Sequence, residues 1–338
     1  MTVTAATTGP PPLPPPPPRF VPVRRPRLAV GLAALGVATT LYLTQEPLLA
    51  LVALFVVIVP VEKLYPRHRQ RVRRPALGTD LAWAVVNTPL TAASIVAAIV
   101  VSFASLIWLP ALALRPLVTA LPSGFRMVAG LVLFDVVTYW AHRFGHEIPM
   151  WWRFHRIHHS TVHLDWVSGF RNHPLDGILI APAFVFLLVA GFSPELSGAL
   201  VVVQILTGLF LHANVRFRWR PLHRVVITPE FHHWHHSNER DAHCSNYSVF
   251  LPLWDIVFGT YYMPRDRRPA VYGVDGPVSV GIVGQLVDPF RGLPVSWSRF
   301  RHPIVSSRLL IRAGLEGLRT MRGILRARPR RTSTASVH

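Results

Sequence analysis

The chain has 338 residues, 51% of them hydrophobic and only 15% charged, and its mean hydropathy is +0.35. Such a chain is too apolar and too poor in charge for an ordinary soluble enzyme, and its long uncharged runs point to a membrane protein. The formal charge of +19 comes from 34 Arg and one Lys against 16 acids; the Arg residues flank apolar runs, which fits a positive-inside bias and not a nucleic-acid partner.

Residues 1–27 read as a disordered tail, a proline run followed by Arg19, Arg24, Arg25 and Arg27. No cleavable signal is read there, because the tail precedes the first apolar run. Residues 28–76 read as a transmembrane hairpin and a basic loop. Leu28–Thr44 would extend ~26 Å, just enough for a hydrocarbon core of ~30 Å. Gln45-Glu46-Pro47 turns the chain and Leu48–Val61 returns it to Lys63, Arg67, Arg69, Arg71, Arg73 and Arg74. Basic residues at both ends and none in the turn place both ends, and the N-terminus, in the cytoplasm.

Leu81–Leu109 lacks any Lys, Arg, Asp or Glu, and Pro89 is expected to kink or interrupt it. A loop around Pro110–Ser123 then leads to a returning span at Met127–Ala141. Gly177–Ala213 reads as another hairpin, broken at Gly191–Glu195, with Ser193 as N-cap and Pro194 in the first turn of its second helix. Thr228 and Pro229 repeat that signature before a helix carrying the last histidine cluster. The aromatic stretch 246–262 reads as a lid over a lipid access route. Residues 263–338 are basic and interfacial, with an amphipathic helix at 309–325 suited to an anionic membrane surface and a disordered end. The expected fold is all-α: a multi-span integral membrane helical bundle of three hairpins with a cytoplasmic histidine-rich di-metal cap.

That cap rests on the spacing of the histidines. His142 and His146 are four apart; His155, His158 and His159 follow; His232, His235 and His236 repeat the His-x-x-His-His pattern. On a helix, residues at i, i+3 and i+4 share a face, so each cluster is expected to aim at one point. Eight imidazoles packed without metal would carry a large desolvation cost. Asp135, Tyr139, His142 and His146, spaced four, three and four, form one stripe. An ionisable Asp135 within an apolar run is a functional candidate, here an acceptor that orients an imidazole. His173 precedes the second hairpin and His212 ends it, so both return to the same side.

Imidazole ligands suit iron, zinc or copper better than magnesium or calcium. His146-Glu147 lacks the second histidine of a zinc-protease motif, since position 150 is Met. The Glu-x-x-His pairs of soluble di-iron bundles are also absent. The single cysteine, Cys244, excludes an internal disulfide and any cysteine-rich metal site. A lipid oxidoreductase, a membrane zinc hydrolase that activates water, and a lipid-binding protein with a structural metal remain open on these grounds.

The three boxes, in this order and spacing, resemble those of the fatty acid hydroxylase/sterol desaturase superfamily. Support comes from Asp135 with Tyr139-Trp140-Ala141-His142-Arg143, from Arg171-Asn172-His173-Pro174-Leu175-Asp176, from His212-Ala213-Asn214, and from Trp254-Asp255 with Phe258-Gly259-Thr260. The likeness covers about residues 127–262, and Asn246-Tyr247-Ser248 stands where members often have Asn-Tyr-Gly. It implies a catalytic domain at 77–262 with two iron ions and O₂ as co-substrate. It also implies two electrons from an external donor (a ferredoxin, or a cytochrome b5-like protein with its reductase) and a lipid that gains a hydroxyl or a double bond. The implied ligands are His142, His146, His155, His158, His159, His232, His235 and His236, with His173 and His212 as further candidates. Asp135, Tyr139 and Asp176 are the candidate catalytic residues; His163, His223 and His243 are bystanders, as is His233, which points about 100° away from His232. No nucleotide-binding glycine motif is present, so the reductant is expected to be a separate protein. Heavy use of Arg over Lys suggests a bacterial inner membrane as the location.

Overall fold

The computed structural model of the protein describes residues 47–292 except 72, 105, 107, 180 and 219, together with residues 315, 319, 322 and 323. The proline-rich tail, the first apolar run and most of the C-terminal amphipathic stretch lie outside the described residues. Among the described residues the fold is all-helical; its only extended pairings are isolated bridges between Pro66 and Val215 and between Ser237 and Tyr272.

Helix α1 (Pro47–Leu64) is the second arm of the expected first hairpin. Helix α2 (Leu77–Ala104) starts earlier than expected and runs through position 89 without interruption. Where a loop was expected, α3 (Trp108–Ala120) forms instead. Its Pro110 falls in the first turn, where a missing N–H removes nothing, and Leu and Ala favour helix over the rest. Pro116 sits inside it.

Helix α4 (Ser123–Glu147) and α7 (Pro194–Leu211) are long and apolar enough to cross a membrane, the two such helices among the described residues. At 1.5 Å per residue they span ~37 and ~27 Å. Val85 on α2, Leu117 on α3, and Phe125, Met127 and Val128 on α4 are exposed. A belt of large apolar side chains on helices whose backbone bonds close internally is what a lipid environment requires.

Between α4 and α7 lie α5 (Pro149–His159), 3₁₀ turns at Trp166–Phe170 and Asp176–Leu179, and α6 (Ala181–Val189). Ser193 caps α7 by accepting from Leu196 N at 3.2 Å, with Pro194 next, as its sequence signature predicts. Phe134 of α4, Phe186 and Leu187 of α6, Leu200 of α7 and Val118 of α3 share one buried cluster. A second cluster joins Ile58 of α1, Trp166, and Leu206 and Leu209 of α7. Short helices α8 (Pro229–His235), α9 (Leu253–Val257) and α10 (Ile282–Val287) complete the described chain.

The polar ends of these helices meet. Glu62 near the end of α1 accepts backbone N–H groups from Trp166 and Asn214, and Asp80 in the first turn of α2 pairs with Arg171. The C-terminal ends of α4 and α7 deliver His146 and His212 to the same region.

Candidate metal centre

Proline chemistry folds the first two histidine boxes onto each other. Ile148 leaves helical geometry (φ −96°, ψ 116°) and Pro149 opens α5 at its first position. A residue before proline is pushed out of the α region, so α4 cannot continue and α5 sets off in a new direction. His155 and His159 thereby come against His142 and His146. Thr228 caps α8 by accepting from Phe231 N at 3.3 Å, with Pro229 at N1, and this helix carries the third box.

The imidazoles gather in two nests. Nest A holds His142, His146, His155, His159 and His235; nest B holds His158, His212, His232 and His236. Within each nest the potential ligand atoms lie within 4.8 Å of one another. The nests adjoin: the rings of His159 and His236 stack with centroids 4.1 Å apart. The expectation that each box aims at a single point needs correction. His155 and His159, at i and i+4, enter nest A while His158, at i+3, enters nest B. The third box does the reverse, with His232 and His236 in nest B and His235 in nest A. Consecutive helical residues differ by about 100°, so a His-x-x-His-His box lying between two sites divides itself between them.

The outer face of five of the nine rings shows which nitrogen is free. His142 Nδ1 donates to Tyr247 O (2.7 Å), His158 Nδ1 to Arg171 O (3.1 Å), His212 Nδ1 to Gly208 O (2.6 Å) and His235 Nδ1 to Ser245 O (2.9 Å). His155 Nδ1 lies 2.8 Å from Asp176 Oδ2. A carbonyl only accepts, so these Nδ1 atoms carry hydrogen and present bare Nε2 lone pairs inward. Yet His158 Nε2 and His212 Nε2 stand 3.2 Å apart, lone pair against lone pair. Similar Nε2–Nε2 approaches join His146 to His235 (3.1 Å), His155 to His159 (3.2 Å), His212 to His232 (3.3 Å) and His232 to His236 (3.1 Å). An imidazole–metal bond of ~2.0–2.1 Å sets neighbouring ligand nitrogens ~3.0–3.4 Å apart, so a cation in each nest resolves the repulsion. The residues fit a pair of metals.

Burial acts in the same direction. It holds the imidazoles of His158, His159, His232, His235 and His236 well below their ordinary 6.5, helped by neighbouring imidazoles, and lowers His212 to about 4. Protonation would place a desolvated cation among others, so the rings stay neutral and available as ligands. Nest A also opens onto a cavity of ≈ 310 Å³ lined by His146, Trp152, His159, His235, Asn238 and Asp275, among others.

The remaining site expectations separate. Asp176 stands against His155 Nδ1, in the orienting position expected of Asp135. Asp135 does not touch an imidazole: its carboxylate accepts Phe250 N, Leu251 N and Trp254 Nε1 at 3.0–3.1 Å, so it anchors the loop leading into α9. The Tyr139 hydroxyl bonds Thr260 Oγ1 (2.9 Å) and accepts from Arg143 Nη1 at 3.3 Å, with no bond to an imidazole among those of the described residues. His173 also stands apart. Its Nδ1 accepts from Leu175 N (3.2 Å), its Nε2 meets Leu286 O (3.2 Å), and its ring packs beside Phe154 and Phe290. His163, His223, His233 and His243 lie outside both nests, although His243 lines the cavity.

Stretch 246–262 is stitched down, unlike a free lid. Asn246 accepts from Tyr262 N and donates to Phe231 O and Tyr262 O, while Asp255 takes Tyr247 N and Ser248 N. The carbonyls of Ser245 and Tyr247, which spacing rules for side chains do not reveal, reach the rings because Cys244 and Asn246 adopt left-handed φ of 56° and 60°. Asn tolerates that conformation better than most residues, a partial signal for the turn.

A helical chain with two membrane-length helices and two adjoining nests of buried and half-buried imidazoles is a membrane-type protein built around a candidate metal centre. Residues 127–260 match the fatty acid hydroxylase family. Ornithine lipid hydroxylase of Rhizobium tropici is 35% identical over 170 residues, 50% of this chain and 51% of that protein. Alkylglycerol monooxygenase of Homo sapiens is 28% identical over 145 residues, 43% of this chain and 32% of that protein. A very-long-chain aldehyde decarbonylase of Oryza sativa is 27% identical over 145 residues, 39% of this chain and 22% of that protein. The chain thus matches about half the length of the first relative and about a third of the second. No solved structure matches it.

Proposed function

We propose that this chain is an integral membrane oxidoreductase that holds two irons and uses O₂ with external electrons to hydroxylate or desaturate a lipid. The observation that carries the reading is the inward convergence of nine imidazoles in two adjoining nests. Two irons held by these residues would supply O₂ activation, with two electrons from an external donor, for hydroxylation or desaturation of a lipid chain.

The protein's own part is to fix and shield. Carbonyl and carboxylate acceptors on Nδ1 fix the direction of five rings, those of His142, His155, His158, His212 and His235. Burial keeps bulk water from nest B, whereas nest A meets the cavity. Lipid as substrate class follows from the exposed apolar belt and from the named relatives. We assign the electrons to an external donor protein. The nests sit at the polar ends of α4 and α7, on the side we assign to the cytoplasm from the arginines after α1.

Metal analysis of the detergent-purified chain, with Mössbauer spectra from iron-labelled cells, tests the reading. A coupled pair of irons is expected, together with reductant-dependent O₂ uptake and a host lipid that gains one oxygen or loses two hydrogens. Stoichiometric zinc after iron-replete expression, with no O₂ uptake, would sink the reading and favour hydrolysis.

A further inference from the structure

Nest B is supported from outside the segment that matches the family. Asp80, fully buried at the start of α2, accepts from Arg171 Nε at 2.7 Å and forms an ion pair with Arg171 Nη2 at 2.5 Å. Its second oxygen pairs with Arg74 Nη2 at 2.8 Å, and Arg74 also grips Asp165. Arg171 in turn presents its carbonyl to His158 Nδ1 and bonds Ser160 Oγ, at the end of the helix that carries His158.

The same segment reaches the other ligands of that nest. Glu62 Oε1 accepts Asn214 N at 2.7 Å, two residues beyond His212, and Asn214 exchanges further bonds with Arg67 and His68. Arg67 Nη1 lies 3.2 Å from His233 Nδ1, next to His232. Nest A has a different support. The direct Nδ1 partners in both nests, Tyr247, Asp176 and Ser245 in nest A and Arg171 and Gly208 in nest B, lie within residues 127–260, but Arg171 is itself held by Asp80.

We propose that residues 62–80 form a strap that sets nest B selectively, with Asp80 as its positioning residue. The inference rests on the reading that each nest holds one metal. Removing the Asp80 charge leaves Arg171 buried without its carboxylate partner, while Arg74 keeps Asp165. Arg171 then relaxes, His158 loses a fixed acceptor, and the direction of its Nε2 is no longer held. Loss of such outer partners lowers metal affinity ~10–100-fold.

The test titrates the full chain in detergent with cobalt(II) alone, whose absorption and stoichiometry report each equivalent. Wild type takes two equivalents. Asp80→Asn is expected to weaken one of them ~10–100-fold and leave the other unchanged. Asp176→Asn should weaken the opposite one, as judged by the two spectral signatures, and Asp80→Glu should restore part of the loss. Two wild-type affinities in Asp80→Asn, or equal weakening of both equivalents, would overturn the strap. If Asp80→Asn does not fold by circular dichroism and gel filtration, the Glu62 pair decides. Both N–H bonds end on one oxygen, so Glu62→Gln keeps them and Glu62→Leu removes them. Weakening of one equivalent in Glu62→Leu alone supports the strap; matching titrations overturn it. A wild-type chain that binds only one equivalent defeats the two-metal reading itself, a result separable from failure of the strap.

Discussion

The two nests use the same ligand type and the same box pattern, yet they are built differently. Nest A takes two i, i+4 pairs and one i+3 histidine, three of them oriented directly by groups within residues 127–260, and it borders a cavity. Nest B takes one i, i+4 pair, one i+3 histidine and His212 from the end of α7, is buried throughout, and leans on residues 62–80. A metal site with an accessible side suits exchange with small molecules, and an enclosed one suits a fixed charge. The difference teaches that the matched family segment and the structural unit of the site are not the same stretch of chain.

The sharpest way to break the comparison is within the third box. His235→Ala and His232→Ala remove neighbours three residues apart, yet they should empty different nests. Each should lower metal affinity in its own nest by ~100-fold or more, above the range for outer partners, and abolish lipid oxidation. Metal counting with Mössbauer spectra distinguishes them. Loss of the same iron signal in both variants would show that the box does not divide.

Acid should act on both nests alike. The folded pKa values of His158, His159, His232, His235 and His236 lie well below 6.5, so below that pH the unfolded chain binds more protons than the folded one. Stability is therefore full above ~6.5 and falls as pH drops, by up to ~1.4 kcal/mol per pH unit for each ring kept neutral. Thermal melts of chelator-treated chain at pH 7.5, 6.5 and 5.5 should decline in that order. A flat series would mean the rings are not buried together.

Asp176→Asn sharpens the contrast from the side of nest A. The amide fills the same space but removes the negative charge beside His155, so metal affinity there should fall ~10–100-fold, or ~1.4–2.7 kcal/mol. The lipid product should keep its identity while the rate declines at limiting iron. A variant that binds both metals normally would make Asp176 a packing residue.

Much of this was legible in sequence because it depends on local rules. The His spacing, the Ser193 and Thr228 caps and the long apolar runs of α4 and α7 each follow from helix periodicity and capping chemistry. The division of each box between nests was not legible, since it depends on where α5 and α8 stand relative to each other. Asp135 misled because its acceptor role is satisfied by N–H groups more than a hundred residues away. His173 sits in a family-like motif, yet its ring nitrogens are engaged by Leu175 and Leu286. Arg67 and Arg74 looked like topogenic charges, but both are buried and committed to partners, whereas Arg69, Arg71 and Arg73 are exposed.

The smallest effect is expected far from either nest and asks whether the membrane-side fold is coupled to nest B alone. Gly191 turns α6 into α7 with φ +97°, and a Cβ there would stand 2.9 Å from Thr119 Cγ2. Gly191→Ala should therefore cost ~1–2 kcal/mol through backbone strain and displacement of Thr119. The turn lies about one helix length, ~27 Å, from His212 at the other end of α7. Since α7 ends in nest B and contributes nothing to nest A, a rigid α7 would pass the displacement to nest B only. The buried contacts of α7 with α1, α4 and α6 oppose such a shift, and the expected outcome is a lower melting temperature with both cobalt affinities unchanged. Weakening of one equivalent, matching the Asp80→Asn signature, would instead make α7 a second mechanical support of nest B, joining the strap at Asn214.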